Sequence, residues 1–281
     1  MPDRRAPRRS LVHAIRRLSP RTRLLGTAAV LAAALPLLFT AAPASAAVNY
    51  VALGDSYSSG LGAGSYGSSG SCYRSANAYS QVWANANAPS SFAFVACSGA
   101  TTSDVISSQL SAVTSSTTLI SITIGGNDVG FASVMETCVL GTDSDCINAI
   151  NQAENEAQTT LPGALDTLFS DIKARAPGAH VVVLGYPEFY DLSKSSTCIG
   201  LSTKKRTALN GGADVLDNVI QAATGRAGFT WVDVRSAFTG HEICDSGSYL
   251  HSVDWSFLQD SYHPTASGQA SGYEPAFASG A

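Results

Sequence analysis

Short apolar runs recur along the chain at 50–53, 92–96, 119–124, 180–184 and 230–234, each rich in Val, Ile, Leu, Phe or Tyr. They are nearly continuous in apolar character, which is the pattern of strands covered on both faces rather than one. Longer stretches mixing apolar and polar positions lie between them, at 76–88, 103–113, 147–176 and 203–223, and these read as helices. Strand and helix alternating in this way predict an α/β fold: a single three-layer α/β/α domain on a mainly parallel sheet. Ligand sites in such sheets form beyond the carboxyl ends of the strands. The Gly/Ser-rich stretch 58–71 has linker-like composition but is short, and it reads as a surface loop.

The first 46 residues do not fit that alternation. A stretch with eight arginines and one acid runs to Arg23, an apolar segment of 16 residues spans 24–39 with Pro36 inside it, and Ala42-Pro43-Ala44-Ser45-Ala46-Ala47 follows. A basic region, a short apolar core and small residues at the −3 and −1 positions predict a secretory signal peptide over 1–46, cut after Ala46. The apolar segment is shorter than the roughly 18–20 residues a spanning helix needs. The remaining 235 residues, 47–281, are read as one domain and carry nine basic and 20 acidic side chains, a net charge of −11. That charge repels phosphate backbones and anionic lipid, so neither nucleic acid nor a stable membrane anchor is expected. Cys72, Cys97, Cys138, Cys146, Cys198 and Cys244 all lie in the body, with no Cys-x-x-Cys spacing. An even count in an exported chain predicts three disulfides. The expected pairing is sequential, Cys72–Cys97, Cys138–Cys146 and Cys198–Cys244, because each then closes one loop without crossing another.

The chemistry sits where the strands stop. The first run ends in Gly54-Asp55-Ser56-Tyr57-Ser58-Ser59-Gly60, the second enters Cys97-Ser98-Gly99-Ala100, the third ends in Gly125-Gly126-Asn127-Asp128, and Asp260-Ser261-Tyr262-His263-Pro264 comes late. A serine hydroxyl is a poor nucleophile without a base to take its proton. Imidazole titrates near neutrality and suits that task. Negative charge developing on a carbonyl oxygen needs donors aimed at it in advance. Two backbone N–H groups (Ser56, Gly99) and the side-chain amide of Asn127 can supply them. Together these residues point to acyl transfer.

Ser56, Gly99, Asn127 and His263 stand in four blocks, Gly-Asp-Ser, a glycine after the second strand, Gly-Gly-Asn-Asp, and Asp-x-x-His-Pro. In that order they resemble the SGNH (GDSL) hydrolase family, and the leader and six cysteines resemble its secreted actinomycete lipases and esterases. The resemblance spans essentially all of 47–281. It implies a flavodoxin-like parallel sheet of about five strands and no metal or other cofactor. It also implies Ser56 as nucleophile and oxyanion donor, Gly99 and Asn127 as further donors, and His263 as general base and later acid. Asp260 is the expected orienting acid of a triad, with a backbone carbonyl near Asp260 or Ser261 as the alternative. The expected activity is a secreted, monomeric carboxylic-ester hydrolase acting on fatty-acyl esters. Phospholipase A or polysaccharide acetyl-esterase specificity would use the same site, and a catalytically dead binding module is the remote alternative.

Other features read more plainly. Gly62-Ala63-Gly64-Ser65-Tyr66-Gly67 matches a dinucleotide fingerprint in form, but it lies past the strand-end serine with no acid about 20 residues on. Flexibility beside Ser56 is the expectation there. Asp55 and Asp128 are expected to accept hydrogen bonds that hold sharp turns. His180 is expected to open a strand at the surface, and His241 and His251 to sit in polar loops without metal.

Overall fold

The computed structural model describes residues 47–194 and 198–281. The proposed leader, 1–46, lies outside the described residues. Five parallel strands form one sheet: β1 (Asn49–Gly54), β2 (Ser91–Phe94), β3 (Leu119–Thr123), β4 (His180–Leu184) and β5 (Thr230–Val232). Their spatial order is β2-β1-β3-β4-β5, with Tyr50 opposite Leu119 and Leu119 opposite His180. This is the flavodoxin-like order, whose switch point lies between β1 and β3.

Burial follows strand position. Every residue of β3 is buried, as is all of β1 after Asn49, whereas the edge strands β2 and β5 hold no fully buried residue. The helices are α1 (Ser56–Ser59), α2 (Tyr79–Asn87), α3 (Thr102–Asp104), α4 (Phe131–Leu140), α5 (Asp143–Thr159), α6 (Leu161–Arg175), α7 (Thr203–Ala227), α8 (Arg235–Phe238) and α9 (Glu274–Gly280). On α6 the buried positions Leu161, Leu165, Leu168, Phe169 and Ile172 recur at helical spacing and form one apolar stripe. Tyr50 of β1 meets Trp83 of α2 and Phe277 of α9 at 5.3 and 5.4 Å between ring centroids, so these two helices cover one face of the sheet. The Tyr50 hydroxyl is satisfied inside the core by Ser121 Oγ at 2.6 Å.

Two expectations change. The run 147–176 is not one helix: α5 ends at Thr159, and α6 begins with Pro162 in its first turn, where a missing N–H costs nothing. The stretch 58–71 is not a surface loop throughout. Ser58, Ser59, Gly60, Leu61 and Ala63 are buried. Ser58 Oγ bonds Thr123 N at 2.9 Å and Thr123 Oγ1 at 2.8 Å, so this serine serves the core rather than solvent. The six cysteines pair sequentially, as expected: Cys72–Cys97, Cys138–Cys146 and Cys198–Cys244. Among the described residues no helix is long and apolar enough to cross a membrane.

Candidate active site

The site is built at the switch point. Gly54 ends β1 at φ +121°, a conformation that favours glycine, and a Cβ there would lie 2.8 Å from Ser58 Oγ. Gln109 fixes this residue from the side: its amide nitrogen donates to Gly54 O and its amide oxygen accepts from Gly54 N, both at 2.8 Å. Asp55 then caps α1, accepting from Tyr57 N at 3.0 Å, Thr123 Oγ1 at 2.7 Å and the Tyr186 hydroxyl. Its burial pushes the carboxyl up to about 6, against the pull of those three donors. Ser56 follows as the first residue of α1, where its N–H has no intrahelical carbonyl to serve.

His263 reaches Ser56 from the other end of the sequence, with Nε2 2.8 Å from Ser56 Oγ. Its Nδ1 lies 3.0 Å from Ser261 O. A carbonyl only accepts, so the proton must sit on Nδ1, which leaves the Nε2 lone pair facing the serine hydroxyl. The imidazole is only 8% exposed. Burial pulls its pKa down to about 4, outweighing the Ser261 and Gln259 carbonyls that favour the charged form. At neutral pH the ring is therefore unprotonated and able to accept a proton.

The expectation that Asp260 orients this imidazole is not met. Asp260 ends a short 3-10 turn, Leu258–Asp260. Its carboxylate accepts from the Tyr66 hydroxyl at 3.3 Å, and its backbone carbonyl accepts from His263 N at 3.1 Å. The chain turns extended at Ser261, with ψ 133°, and this brings the Ser261 carbonyl rather than a carboxylate to Nδ1. The alternative of a backbone carbonyl is the arrangement present.

Tyr262, next to the histidine, holds φ +63°, unfavourable for a bulky residue. Several contacts impose it. Tyr262 O accepts from the Tyr57 hydroxyl at 2.6 Å, Tyr262 N donates to His251 O at 3.0 Å, and its own hydroxyl meets that of Tyr190 at 3.1 Å. The Tyr57 ring also lies 5.2 Å from the imidazole. His251 returns a ring contact to Gly62 O at 2.8 Å. A Cβ on Gly62 would stand 2.7 Å from Pro264 O, so this glycine permits close approach to the histidine loop rather than flexibility. His241 stacks on Tyr249 with centroids 3.9 Å apart, and His180 opens β4 exposed, as expected.

Gly99 and Asn127 line the same cavity as Ser56 and His263. Gly99 holds φ +80°. Its loop is tied by the Cys72–Cys97 disulfide, by Cys97 N to Gly54 O at 3.0 Å and by Ser98 N to Cys72 O at 3.1 Å. Asn127 Nδ2 donates one proton to Ala100 O at 3.0 Å, leaving the second for a substrate oxygen. Asp128 accepts from Thr102 N and, at 2.6 Å, from Thr102 Oγ1, joining the third block to the second. Both aspartates thus hold turns, as expected. The cavity has a volume of about 510 Å³, and Leu61, Phe131, Met135, Val139 and Val253 give it an apolar wall. An arrangement of hydroxyl, neutral imidazole and aimed amides beside an apolar hollow can attack a carbonyl carbon, hold the resulting oxyanion and bind an acyl chain.

Sequence reading did not find Gln109, Tyr57, Tyr186 or His251. None lies in a motif that names its partner, since the groups their side chains meet, Gly54, Tyr262, Gly126 and Gly62, are 55 or more residues away.

Comparison with known proteins bears on this geometry. The sequence model of the GDSL-like lipase/acylhydrolase family matches residues 52–270. Lipase 1 of Streptomyces coelicolor is 56% identical over 227 residues, covering 80% of this chain and 84% of that protein. The crystal structure of phospholipase A1 from Streptomyces albidoflavus NA297 superposes with a TM-score of 0.82 at 56% identity, covering 84% of this chain and 100% of that one. The extracellular lipase of Streptomyces rimosus gives 0.81 at 50% identity, with the same coverage. A Gly-Asp-Ser turn, a late histidine and a five-stranded parallel sheet therefore place the chain in the GDSL-like lipase/acylhydrolase family.

Proposed function

We propose that this ester hydrolase works through an acyl-enzyme on Ser56 and takes fatty-acyl esters as substrates. The observation that carries the reading is the 2.8 Å contact between Ser56 Oγ and His263 Nε2 at the base of an apolar cavity. His263 removes the hydroxyl proton as Ser56 Oγ bonds to the carbonyl carbon. The oxyanion is held by Ser56 N–H, Gly99 N–H and Asn127 Nδ2. Collapse expels the alcohol, which takes the proton from His263. Water activated by the same imidazole then releases the carboxylic acid. The imidazolium formed on the way is steadied by the Ser261 carbonyl, making this a Ser-His dyad.

The apolar cavity wall supports acyl-chain binding, and the likeness to a phospholipase A1 supports a second reading in which the ester belongs to a phospholipid. All the site groups come from one chain, which supports action as a monomer. The sequence of 1–46, the three disulfides and the likeness to an extracellular lipase support export with cleavage after Ala46. Ser56→Ala should abolish turnover with little change in thermal stability, and retained activity near wild type would end the reading. A panel of short, medium and long p-nitrophenyl esters plus a phospholipid separates the substrate classes. Amino-terminal sequencing of the exported protein should begin at Ala47.

A further inference from the structure

Among the described residues, seven large apolar side chains stand exposed, and four of them gather at one place. Leu140 at the end of α4, with Trp255 and Leu258, borders the cavity that holds Ser56, and Phe257 stands between the latter two on the same loop. Their exposures are 69%, 71%, 60% and 59% for Leu140, Trp255, Leu258 and Phe257. Single exposed apolar residues are ordinary, but a group of them rimming a pocket marks an interaction surface. The loop is held in this outward pose. Asp254 Oδ1 accepts from Ser256 N at 2.8 Å and Phe257 N at 3.2 Å, and Asp254 N donates to Ser261 Oγ at 2.9 Å. The rim continues the apolar wall formed by Phe131, Met135 and Val253, with Glu136 and Gln259 as polar members of the same lining.

Charge narrows the partner. The segments that build the rim contain no Lys or Arg at all, since none occurs in 75–172 or 236–281. Acids do occur there: Glu136 lines the cavity, and Asp254 and Asp260 lie in the rim loop. Lys205 of α7 reaches the end of α4, but it is buried and its Nζ is held by Cys138 O and Gly141 O, both at 2.7 Å, so an anionic headgroup would meet carboxylates rather than an exposed cation.

We propose that this rim docks the site onto a lipid–water interface of zero net charge, with Trp255, Phe257, Leu258 and Leu140 entering the headgroup layer. An acyl chain can then pass from the lipid layer to the cavity along apolar surface. Trp suits that depth, having an apolar body and one polar N–H. The proposal rests on the ester-hydrolase reading for what the cavity holds, but its binding step does not need catalysis.

The test uses the protein carrying Ser56→Ala, so that lipid is bound and not consumed. Its partition onto phosphatidylcholine vesicles is followed by co-sedimentation and by the blue shift of tryptophan emission. Trp255→Ser and Phe257→Ser should each weaken partition by about tenfold, the expected scale for withdrawing one partly inserted aromatic side chain. Trp255→Phe should keep binding and lose most of the shift. Replacing about a third of the lipid by phosphatidylglycerol should not tighten binding. Partition indifferent to these substitutions, no partition at all, or tightening by the anionic lipid would overturn the proposal. So would sedimentation showing that the rim instead joins two copies of the chain. With Ser56 intact, Phe257→Ser should hydrolyse soluble p-nitrophenyl acetate like the parent. If the hydrolase reading is at fault, the parent fails on that soluble ester while vesicle binding stands. If the docking proposal is at fault, the soluble ester is cleaved and the vesicle results fail.

Discussion

Replacing Asp260 by asparagine separates a dyad from a triad, because it removes a carboxylate while keeping its shape. In a true triad the equivalent change, by imposing the wrong tautomer, costs about 10⁴ in kcat, or roughly 5.4 kcal/mol. Here the Asp260 carboxylate meets Tyr66, 3.3 Å away, and Nδ1 of His263 belongs to the Ser261 carbonyl at 3.0 Å. The bond lost is a half-exposed one worth about 0.5–1.5 kcal/mol. If all of that appeared in the barrier, kcat/KM would fall by no more than about tenfold. Tyr66→Phe breaks the same bond and also the one its hydroxyl accepts from Gly62 N at 2.9 Å, so it should cost at least as much, and the double variant should lose less than the product of the two. Initial rates on soluble p-nitrophenyl butyrate measure this, with circular dichroism melts to confirm folding. The pH profile should keep its shape in Asp260→Asn, because Asp260 is not among the groups that set the His263 pKa. A folded Asp260→Asn protein that loses 10³ or more in kcat/KM would refute the reasoning.

Asn127→Ala should lower kcat by about 10²–10³ by removing one oxyanion donor, and a change under tenfold would mean that this amide does not face the substrate. Because burial pulls His263 down to about 4, its base form persists as pH falls through 6.5, so kcat/KM should lose its histidine limb only near pH 4. A histidine limb centred near 6.5 in the pH–rate profile, unshifted by Asp55→Asn, would contradict that. Replacing Cys72 and Cys97 together by alanine reopens a loop with a sequence separation of 25, at a loss of about 3.5 kcal/mol, and should also lower kcat because that bridge steadies Gly99. Thermal melts and initial rates check both halves, and an unchanged melting temperature would show that the bridge does not hold the loop.

Much of this architecture was legible because the signals are local. The strands at 50–53, 119–124 and 180–184 are continuous β-rich runs, and a parallel sheet leaves them buried on both faces, so composition and position agree. The pattern over 147–176 reads as one helix because α5 and α6 are both amphipathic and meet without an intervening loop, and Pro162 marks the break. The stretch 58–71 misled through composition. Its serines are polar, yet Ser58 spends that polarity on Thr123 inside the core, which depends on a strand 65 residues away. Ser56, Gly99, Asn127 and His263 stand together as expected because strand ends in this topology converge on the switch point. Asp260 failed for the opposite reason: three residues before a histidine fixes a sequence distance, whereas the group at Nδ1 is set by the turn at Ser261 and by the positive φ of Tyr262. No side-chain spacing reports which backbone carbonyl a turn will present.

The proposed chemistry stands most directly on Ser56 and His263 acting as a pair, and covalent trapping tests it. The protein at neutral pH is treated with a fluorophosphonate and digested, and the modified peptide is located by mass spectrometry. The adduct should form in one-to-one stoichiometry on Ser56, and His263→Ala should slow its formation by at least about 10³, in keeping with the loss of an essential base. Labelling on another serine, or labelling of Ser56 at an undiminished rate without His263, would contradict the account.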